Sequence, residues 1–345
     1  MTGQSQDVGE SGQAIQSGRD TIIQNGLSSE QLGQIISTIA AQVPAYTVIA
    51  REVVDERLQN FKDEILKRFE ADQSARAEAF RDPDFQYVFH DAQNAFARSG
   101  EENVGAILVD LIAERSKSPQ RDRMTLSLNQ AVEVAANLTV NEFAALALSY
   151  RLRHTRMRDV ISVASAAATL NDKVNPFIDN ISREQSAFSY LVALRCATIS
   201  TGSITLRDVL VRTYPAVFMR GELLERYGPS WAELQSANLL IPSLHDHSRF
   251  QPNAIDKTVW NDVAGRAGFG QALIDSTWSV AEGTLMQQDE ITAAYAPLVP
   301  RIADAFEVWD NTPLKSLELT TVGIAIAHAY CKSSGFEADL RIWIK

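Results

Sequence analysis

An apolar stripe at helical spacing limits what residues 54–69 can fold into. Its members follow one another in steps of four, three, four and four: Val54, Leu58, Phe61, Ile65 and Phe69. That spacing places all of them on one face of an α-helix. The residues between them are densely charged with both signs, which is typical of a coiled-coil-like helix. The stripe therefore predicts a helix over residues 46–75 that either associates with another copy or lies, as an amphipathic helix, on its own domain.

Other segments with the same period predict a mainly α-helical chain. Ser28 with Gln31, and Thr139 with Glu142, have the spacing of a capping box at a helix start. After an Asp-Pro break, one helix face carries four apolar side chains, and Gly100 predicts the end of that helix. The four are Phe85, Phe89, Ala92 and Phe96. The short connections between these segments predict a helical bundle.

The C-terminal part predicts a different kind of unit. Residues 228–241 contain a Gly-Pro turn, a short helix and a final Leu-Leu-Ile, a pattern typical of the end of a winged-helix unit. Residues 243–253 would then be its wing or a long loop. Two short strands are predicted over residues 317–320 and 340–344. The predicted fold is a helical bundle with a winged-helix-like C-terminal part and a short extended N-terminal repeat.

That repeat is one motif written twice, as IQSG over residues 15–18 and as IQNG over residues 23–26. Its β-branched residues favour extended structure, and its glycines interrupt it. Two units of this size cannot bury a face alone, so they become stable by stacking on copies of themselves or on other chains. The repeat is either an assembly element or a flexible tail with a chance repeat. The candidate assembly residues are Ile15, Gln16, Ile22, Ile23 and Gln24.

Changes in composition divide the chain into four predicted segments. They are an extended repeat (1–27), amphipathic coiled-coil-like helices (28–80), a helical bundle (81–172), and a helical plus winged-helix-like domain (173–345). The run NDKVNP, residues 171–176, marks the clearest internal boundary, because its polar residues and proline interrupt the helical pattern.

The overall charge and the cysteines exclude several classes of protein. Thirty-two Lys and Arg against 43 Asp and Glu give a net charge of −11, which disfavours a broad nucleic-acid or anionic-membrane surface. With Cys196 and Cys331 as its two cysteines, the sequence has neither a disulfide framework nor a cysteine zinc site. The first residues lack a secretory signal, and the most apolar window, residues 160–170, is too short to span a bilayer. We expect a soluble, cytoplasmic protein without a cofactor.

Two clusters could carry binding chemistry. In the first, His245 and His247 flank an aspartate, and His-x-His can ligate a metal, although no third ligand lies nearby in the sequence; the alternative is a polar loop. The second is an arginine cluster at a predicted helix end, composed of Arg151, Arg153, Arg156 and Arg158. It would contact phosphate or an acidic partner, or it places cations at a helix C-terminus, where the macrodipole favours them.

Neither a catalytic nor a metal residue is predicted. The glycine-rich run over residues 265–270 lacks a preceding strand and the GK[ST] ending of a phosphate loop, so we reject that interpretation. The sequence contains no G-x-S-x-G or H-E-x-x-H frame.

Two stretches resemble known families. The runs IQSGRDTIIQNGLSSEQ and FRDPDFQYVFHDAQNAFARSGEENVGAILVDLIAERS resemble an uncharacterised bacterial family whose members begin with Gln/Gly repeats, over residues 15–153. More distantly, residues 228–241 and the run LTTVGIAIAHAY resemble the abortive-infection alpha family. That second resemblance implies an association with antiphage defence, and it supplies no reaction and no catalytic residue.

Three functions remain open on the sequence. The first is a non-enzymatic, self-assembling scaffold or regulator in antiphage defence, a homo-oligomer with a protein partner and no membrane span. The alternative is a nucleic-acid-binding regulator that uses the winged-helix-like unit and the arginine cluster. The third, with less support, is a metal-dependent hydrolase built around His245 and His247.

Overall fold

The structure is a computed structural model that describes residues 28–40 and 48–345, and over these residues the chain is mainly helical. The helices are α1 (Ser29–Ala40), α2 (Val48–Ala71), α3 (Pro83–Ser99), α4 (Glu102–Ser116), α5 (Arg123–Ala135), α6 (Val140–Ser149), α7 (Val163–Val174), α8 (Gln185–Ala193), α9 (Leu206–Thr213), α10 (Trp231–Ser236), α11 (Lys257–Arg266), α12 (Gln271–Glu282), α13 (Gln288–Tyr295), α14 (Ile302–Asn311) and α15 (Thr321–Lys332). The mainly α-helical fold class is thereby confirmed. Within the described ranges no helix is long and apolar enough to cross a membrane.

Four short strands form two antiparallel pairs: β1 (Ala197–Ile199) with β4 (Leu317–Leu319), and β2 (Leu240–Pro242) with β3 (Phe250–Pro252). The strand predicted over residues 317–320 is thus confirmed as β4. The one predicted over residues 340–344 was wrong. A 3₁₀ turn, Leu340–Ile342, begins there, because the Asp339 side chain accepts a hydrogen bond from the backbone N–H of Arg341.

The predicted capping boxes and the predicted glycine stop are present in the structure. The backbone N–H of Gln31 donates to Ser28 Oγ (3.2 Å), and that of Ser28 donates to Gln31 Oε1 (3.0 Å). Thr139 and Glu142 also form a capping box, at the start of α6. Gly100 ends α3 with φ of +63°, a conformation that costs glycine little. These local predictions are confirmed because they depend on residues three positions apart.

The largest core extends from Leu32 to Ile344 and therefore crosses the predicted boundaries at residues 80 and 172. Helix α15 packs against α4, α5 and α6, which brings the end of the chain into the middle of the bundle. The close approach at its first turn requires glycine. A Cβ at Gly323 would lie 2.0 Å from the carbonyl oxygen of Cys196.

A second, smaller core surrounds Trp260, whose indole N–H donates to the carbonyl of Ile274 (2.9 Å). It includes side chains from α10, α11 and α12 and lies beside the β2–β3 hairpin. Glu222 forms an additional antiparallel bridge with Phe250 of β3. This region therefore has its own apolar centre.

Candidate functional site

Three helices end close together, and each has a basic residue at its end. Arg68 lies in the last turn of α2, Lys117 directly follows α4, and Lys332 is the last residue of α15. A helix C-terminus carries about half a negative charge, so a cation there is favourable by roughly 0.3–1 kcal/mol when exposed. The position of the three cations thus follows from the helix ends.

The three cations alternate with three carboxylates in a closed ring of ion pairs, named here the charge ring. In order, its members are Arg68, Asp110, Lys332, Glu114, Lys117 and Asp72. The successive N–O distances are 2.7, 3.9, 2.5, 2.8, 2.9 and 3.5 Å. Every member therefore has two partners of opposite charge, and the ring fastens α2, α4 and α15 to one another.

The environment of the charge ring shifts the pKa of several members. Burial raises the pKa of Asp110. Burial also opposes ionisation of Glu114, but Lys332 and Lys117 lower its pKa overall. Burial also favours the neutral form of Asp72, but hydrogen bonds from Ser74 and Lys117 outweigh it and lower the pKa of Asp72. Neighbouring charges and hydrogen bonds thus favour the ionised forms of Glu114 and Asp72, although burial limits their access to water.

The charge ring lines an open cleft. All of its members border a cleft of about 860 Å³. A smaller cavity of about 390 Å³ adjoins it, since both are lined by Gln73, Ser74 and Ala338. Arg76 and Arg341 line the smaller cavity but do not border the larger cleft. Both volumes lie within the range of roughly 300–1,000 Å³ that ligand pockets occupy, so this is the candidate binding site.

The C-terminal residues 336–344, named here the C-terminal strap, contact both the smaller cavity and the interior. Arg341 lines that cavity, whereas Phe336 and Trp343 pack against Tyr150 and His328. These four rings form a cluster in which all six pairs have centroids 5.0–6.4 Å apart. Aromatic pairs at such distances attract one another beyond simple burial. The cluster therefore fastens the C-terminal strap to the bundle.

Beneath the strap, α6 continues as one π-helical turn, Tyr150–His154. Turns of this kind occur frequently at functional sites. The Trp343 indole N–H donates to the carbonyl of His154 (2.7 Å), and His328 Nε2 lies 2.8 Å from the carbonyl of Ala338. Burial lowers the pKa of His328 to about 4, so its ring is neutral at pH 7. The strap is thus attached through backbone groups as well as rings.

The members of the arginine cluster have different surroundings, from the buried Arg151 to the exposed Arg158. Arg151 is buried, forms an ion pair with Asp172, and has its guanidinium carbon 4.1 Å from the ring centroid of Phe336. The remaining pairs join Arg153 to Glu318 and Arg156 to Asp256, and Arg158 is exposed. Three of the four predicted contact residues therefore have intramolecular carboxylate partners. Their contact with a phosphate or an acidic partner stays a prediction.

A buried lysine lies beside Arg151. Lys173 Nζ donates to the carbonyl of Thr155 (2.7 Å) and to the hydroxyl of Tyr214 (3.2 Å). Burial, and then the positive charge of Arg151, lower the pKa of Lys173 to about 7. An amine in this position changes its charge near neutral pH.

We expect Lys173→Met to remove a rise in stability between pH 7 and pH 9. The folded protein loses the proton of Lys173 near pH 7, whereas the unfolded chain keeps it until about pH 10.4. Because the unfolded state then binds more protons, the free energy of unfolding of the wild type should rise by about 2 kcal/mol over this range relative to the variant. Urea unfolding at pH 7, 8 and 9 measures the difference. Lys257→Met, at an exposed lysine, should keep the wild-type slope; equal slopes for all three proteins would contradict the expectation.

The assembly stripe of α2 is covered by the chain itself. Val54 and Leu58 pack with Ala97 of α3, and Phe61 and Ile65 lie in the main core. The last member, Phe69, is half-buried, with its ring centroid 5.8 Å from that of Phe80. This packing is that of an amphipathic helix on its own domain, the second interpretation of the stripe. The other assembly residues, Ile15, Gln16, Ile22, Ile23 and Gln24, lie outside the described residues.

The histidine cluster is part of a polar loop. His245 Nε2 lies 2.7 Å from the carbonyl of Val217, and its ring contacts Tyr295, while His247 is exposed. Over the described ranges no group of three His, Cys, Asp or Glu side chains could hold a metal ion. His245 therefore positions the loop.

The sequence interpretation missed the charge ring, because a charged residue on a helix has the same local pattern whether it faces water or another charge. The available signal was a basic residue at the end of an apolar helical run, as at Lys117 and Lys332. The members of the ring range from Arg68 to Lys332 in the chain, so no local pattern identifies their partners.

Comparison with protein-family models gives a match over residues 26–344. The match begins at the last glycine of the second repeat copy and includes the charge ring, the C-terminal strap and the second core. No curated protein and no solved structure matches the chain.

Proposed function

Since that match spans most of its length, the chain belongs to an uncharacterised family, and we propose that it is a non-enzymatic, self-assembling scaffold or regulator in the cytoplasm. In this proposal the N-terminal repeat assembles copies of the chain, and the helical body binds a ligand or partner in the cleft beside the charge ring. The association with antiphage defence rests on the resemblance to the abortive-infection alpha family.

The repeat over residues 15–26 is the observation that carries the assembly proposal, because the other candidate, the α2 stripe, is buried within the chain. With Phe61 and Ile65 covered inside the body, the stripe is no longer an exposed seam for another copy. The repeat over residues 15–26 is then the sequence feature that still predicts association. The residues matched by the family model begin at 26, so nearly all of the repeat precedes them.

The cleft supports the regulatory half of the proposal. It is bordered by the charge ring, which joins the ends of three helices, and by the C-terminal strap, which joins α15 to the π-helical turn. A ligand there would contact elements from both ends of the body. Its binding would therefore change how firmly those elements are held together.

Removing residues 1–27 is expected to convert a discrete oligomer into a monomer. The repeat is stable only when copies stack, so a chain that begins at Ser28 should lack the contacts between copies. Light scattering after gel filtration gives the mass of both proteins. In cells challenged with phage, the shortened chain should also lose any protection that the full chain gives.

A full-length variant shows whether the repeat itself, and not the mere presence of 27 further residues, causes the assembly. Ile15→Asp combined with Ile23→Asp leaves the length unchanged and should also give a monomer. If the shortened chain and the full chain have the same oligomeric state, the assembly role of the repeat is rejected.

A second candidate function, nucleic-acid binding, has one observation in its favour. A helix, α10, precedes the β2–β3 hairpin, and Glu222 bridges to β3, which is the order of elements in a winged-helix unit. Charge argues against it, because residues 219–285 contain eight acidic and five basic residues. A gel-shift assay at low salt decides between the two. Binding that is abolished by Arg156→Ala with Arg158→Ala would favour this candidate.

A further inference from the structure

Two arginines border the smaller cavity without a carboxylate partner. Arg76 and Arg341 both line the cavity of about 390 Å³, and neither guanidinium forms an ion pair with any carboxylate among the described residues. The Arg341 guanidinium makes one long hydrogen bond, to the carbonyl of Lys117 (3.4 Å). Arg68, which borders the adjoining cleft, is instead paired with Asp110 and Asp72. Arg76 and Arg341 therefore offer guanidinium donors that no carboxylate occupies, one from the loop after α2 and one from the C-terminal strap.

The charged residues that line the cavity sum to one positive charge, with Arg76, Lys117 and Arg341 against Glu114 and Asp339. Lys117 is a third cation there, shared with Asp72 and Glu114. Glu114 is itself neutralised by two lysines, and the Asp339 side chain accepts the backbone N–H of Arg341. Met124, in the first turn of α5, also lines the cavity. The N-terminus of α5 is capped by the Asp122 carboxylate, which accepts the backbone N–H of Thr125 (2.8 Å), so the two arginines are the donors left for a ligand.

We propose that this cavity binds a small ligand with a phosphate group, held between Arg76 and Arg341. Guanidinium groups bind phosphate oxygens through paired, charge-assisted hydrogen bonds, and two unpaired arginines suit a doubly charged group better than a single carboxylate. The cavity is larger than a phosphate ion, so the ligand carries an organic remainder or a second phosphate. This inference rests on the proposed function, because it names the ligand of the regulatory cleft.

Ligand binding should change the surroundings of a tryptophan in the C-terminal strap. Arg341 lies two residues before Trp343, whose ring centroid is 5.0 Å from that of Tyr150. A ligand that holds Arg341 would fix the strap and change the surroundings of Trp343. The fluorescence of that tryptophan is therefore a direct readout of the site.

The test is a titration of the full chain with pyrophosphate at low ionic strength, in which calorimetry and tryptophan fluorescence measure the binding. We expect saturable binding that weakens about tenfold in Arg76→Gln and in Arg341→Gln, since each removes one charged donor. Arg266→Gln, on α11 and paired with Asp262, should bind like the wild type. Trp343→Phe should bind pyrophosphate but lose most of the fluorescence change.

Three outcomes would overturn the inference. They are an absence of saturable binding, equal binding by the wild type and both cavity variants, and malonate binding as tightly as pyrophosphate, which would assign a dicarboxylate ligand. Failure here is distinguishable from failure of the assembly proposal. The chain that begins at Ser28 retains the whole cavity, so it should bind pyrophosphate whether or not it assembles.

Discussion

Replacing Gly323 by alanine is expected to lower the free energy of unfolding by about 3 kcal/mol or more, the upper end of what overpacking costs. The new Cβ would lie 2.0 Å from the carbonyl oxygen of Cys196 and 3.0 Å from its carbon. That carbonyl is held in place, because it accepts hydrogen bonds from the backbone N–H and the hydroxyl of Thr320, both at 3.0 Å. Relief would require α15 to move away from α4, α5 and α6. Urea unfolding followed by circular dichroism measures the loss.

Gly265→Ala provides the matched control. Gly265 lies inside α11, and a Cβ there would meet no heavy atom within 4 Å. Because alanine favours a helix over glycine by roughly 0.5–1 kcal/mol, this variant should be slightly more stable than the wild type. If both variants change stability in the same direction and by the same amount, close packing of α15 on Cys196 is not the cause.

Phe89→Ala should cost about 3–5 kcal/mol, the usual range for removing a fully buried aromatic ring. The side chain is 0 % exposed, with its ring centroid 5.0 Å from that of Phe80 and 6.0 Å from that of Phe61. Its removal would leave a void where α2, α3 and the 3₁₀ turn Ala77–Arg81, which contains Phe80, meet. The rigid rings around that void cannot fill it. The midpoint of urea unfolding measures the change.

Tyr87→Ala tests the same helix two residues earlier. Tyr87 is 69 % exposed, so its replacement should change the free energy of unfolding by no more than about 0.5 kcal/mol. A large loss in Tyr87→Ala, or a negligible one in Phe89→Ala, would show that the face of α3 is assigned incorrectly.

Features that depend on neighbours in the chain were predictable. The buried face of α3 follows from the spacing of Phe85, Phe89, Ala92 and Phe96, and all four are buried. The capping residues Ser28 and Thr139 and the glycine stop at Gly100 were identified for the same reason. The prediction of a strand over residues 340–344 was wrong, because the alternation matches a strand while Trp343 packs on the π-helical turn and Asp339 caps a 3₁₀ turn there.

The binding cleft was not predictable from the sequence. Its charges belong to helix ends far apart in the chain, and a charged residue on a helix has the same local pattern whether it meets water or another charge. Arg68 illustrates the difficulty, since it lies beside the apolar stripe of α2 yet pairs with Asp110 of α4. Only the packing of α2, α4 and α15 brings such residues together.

The place of α15 in the bundle determines when, during synthesis, the body can close. Helix α15 supplies Lys332 to the charge ring, covers α4, α5 and α6, and is preceded by β4, the partner of β1. The ribosome delivers all of these after the elements that they cover. Until they emerge, β1 has no strand beside it, Glu114 lacks Lys332, and the apolar faces of the earlier helices are uncovered. Closure of the core therefore waits for the synthesis of α15, and a product that stops short of α15 lacks the helix that closes its core.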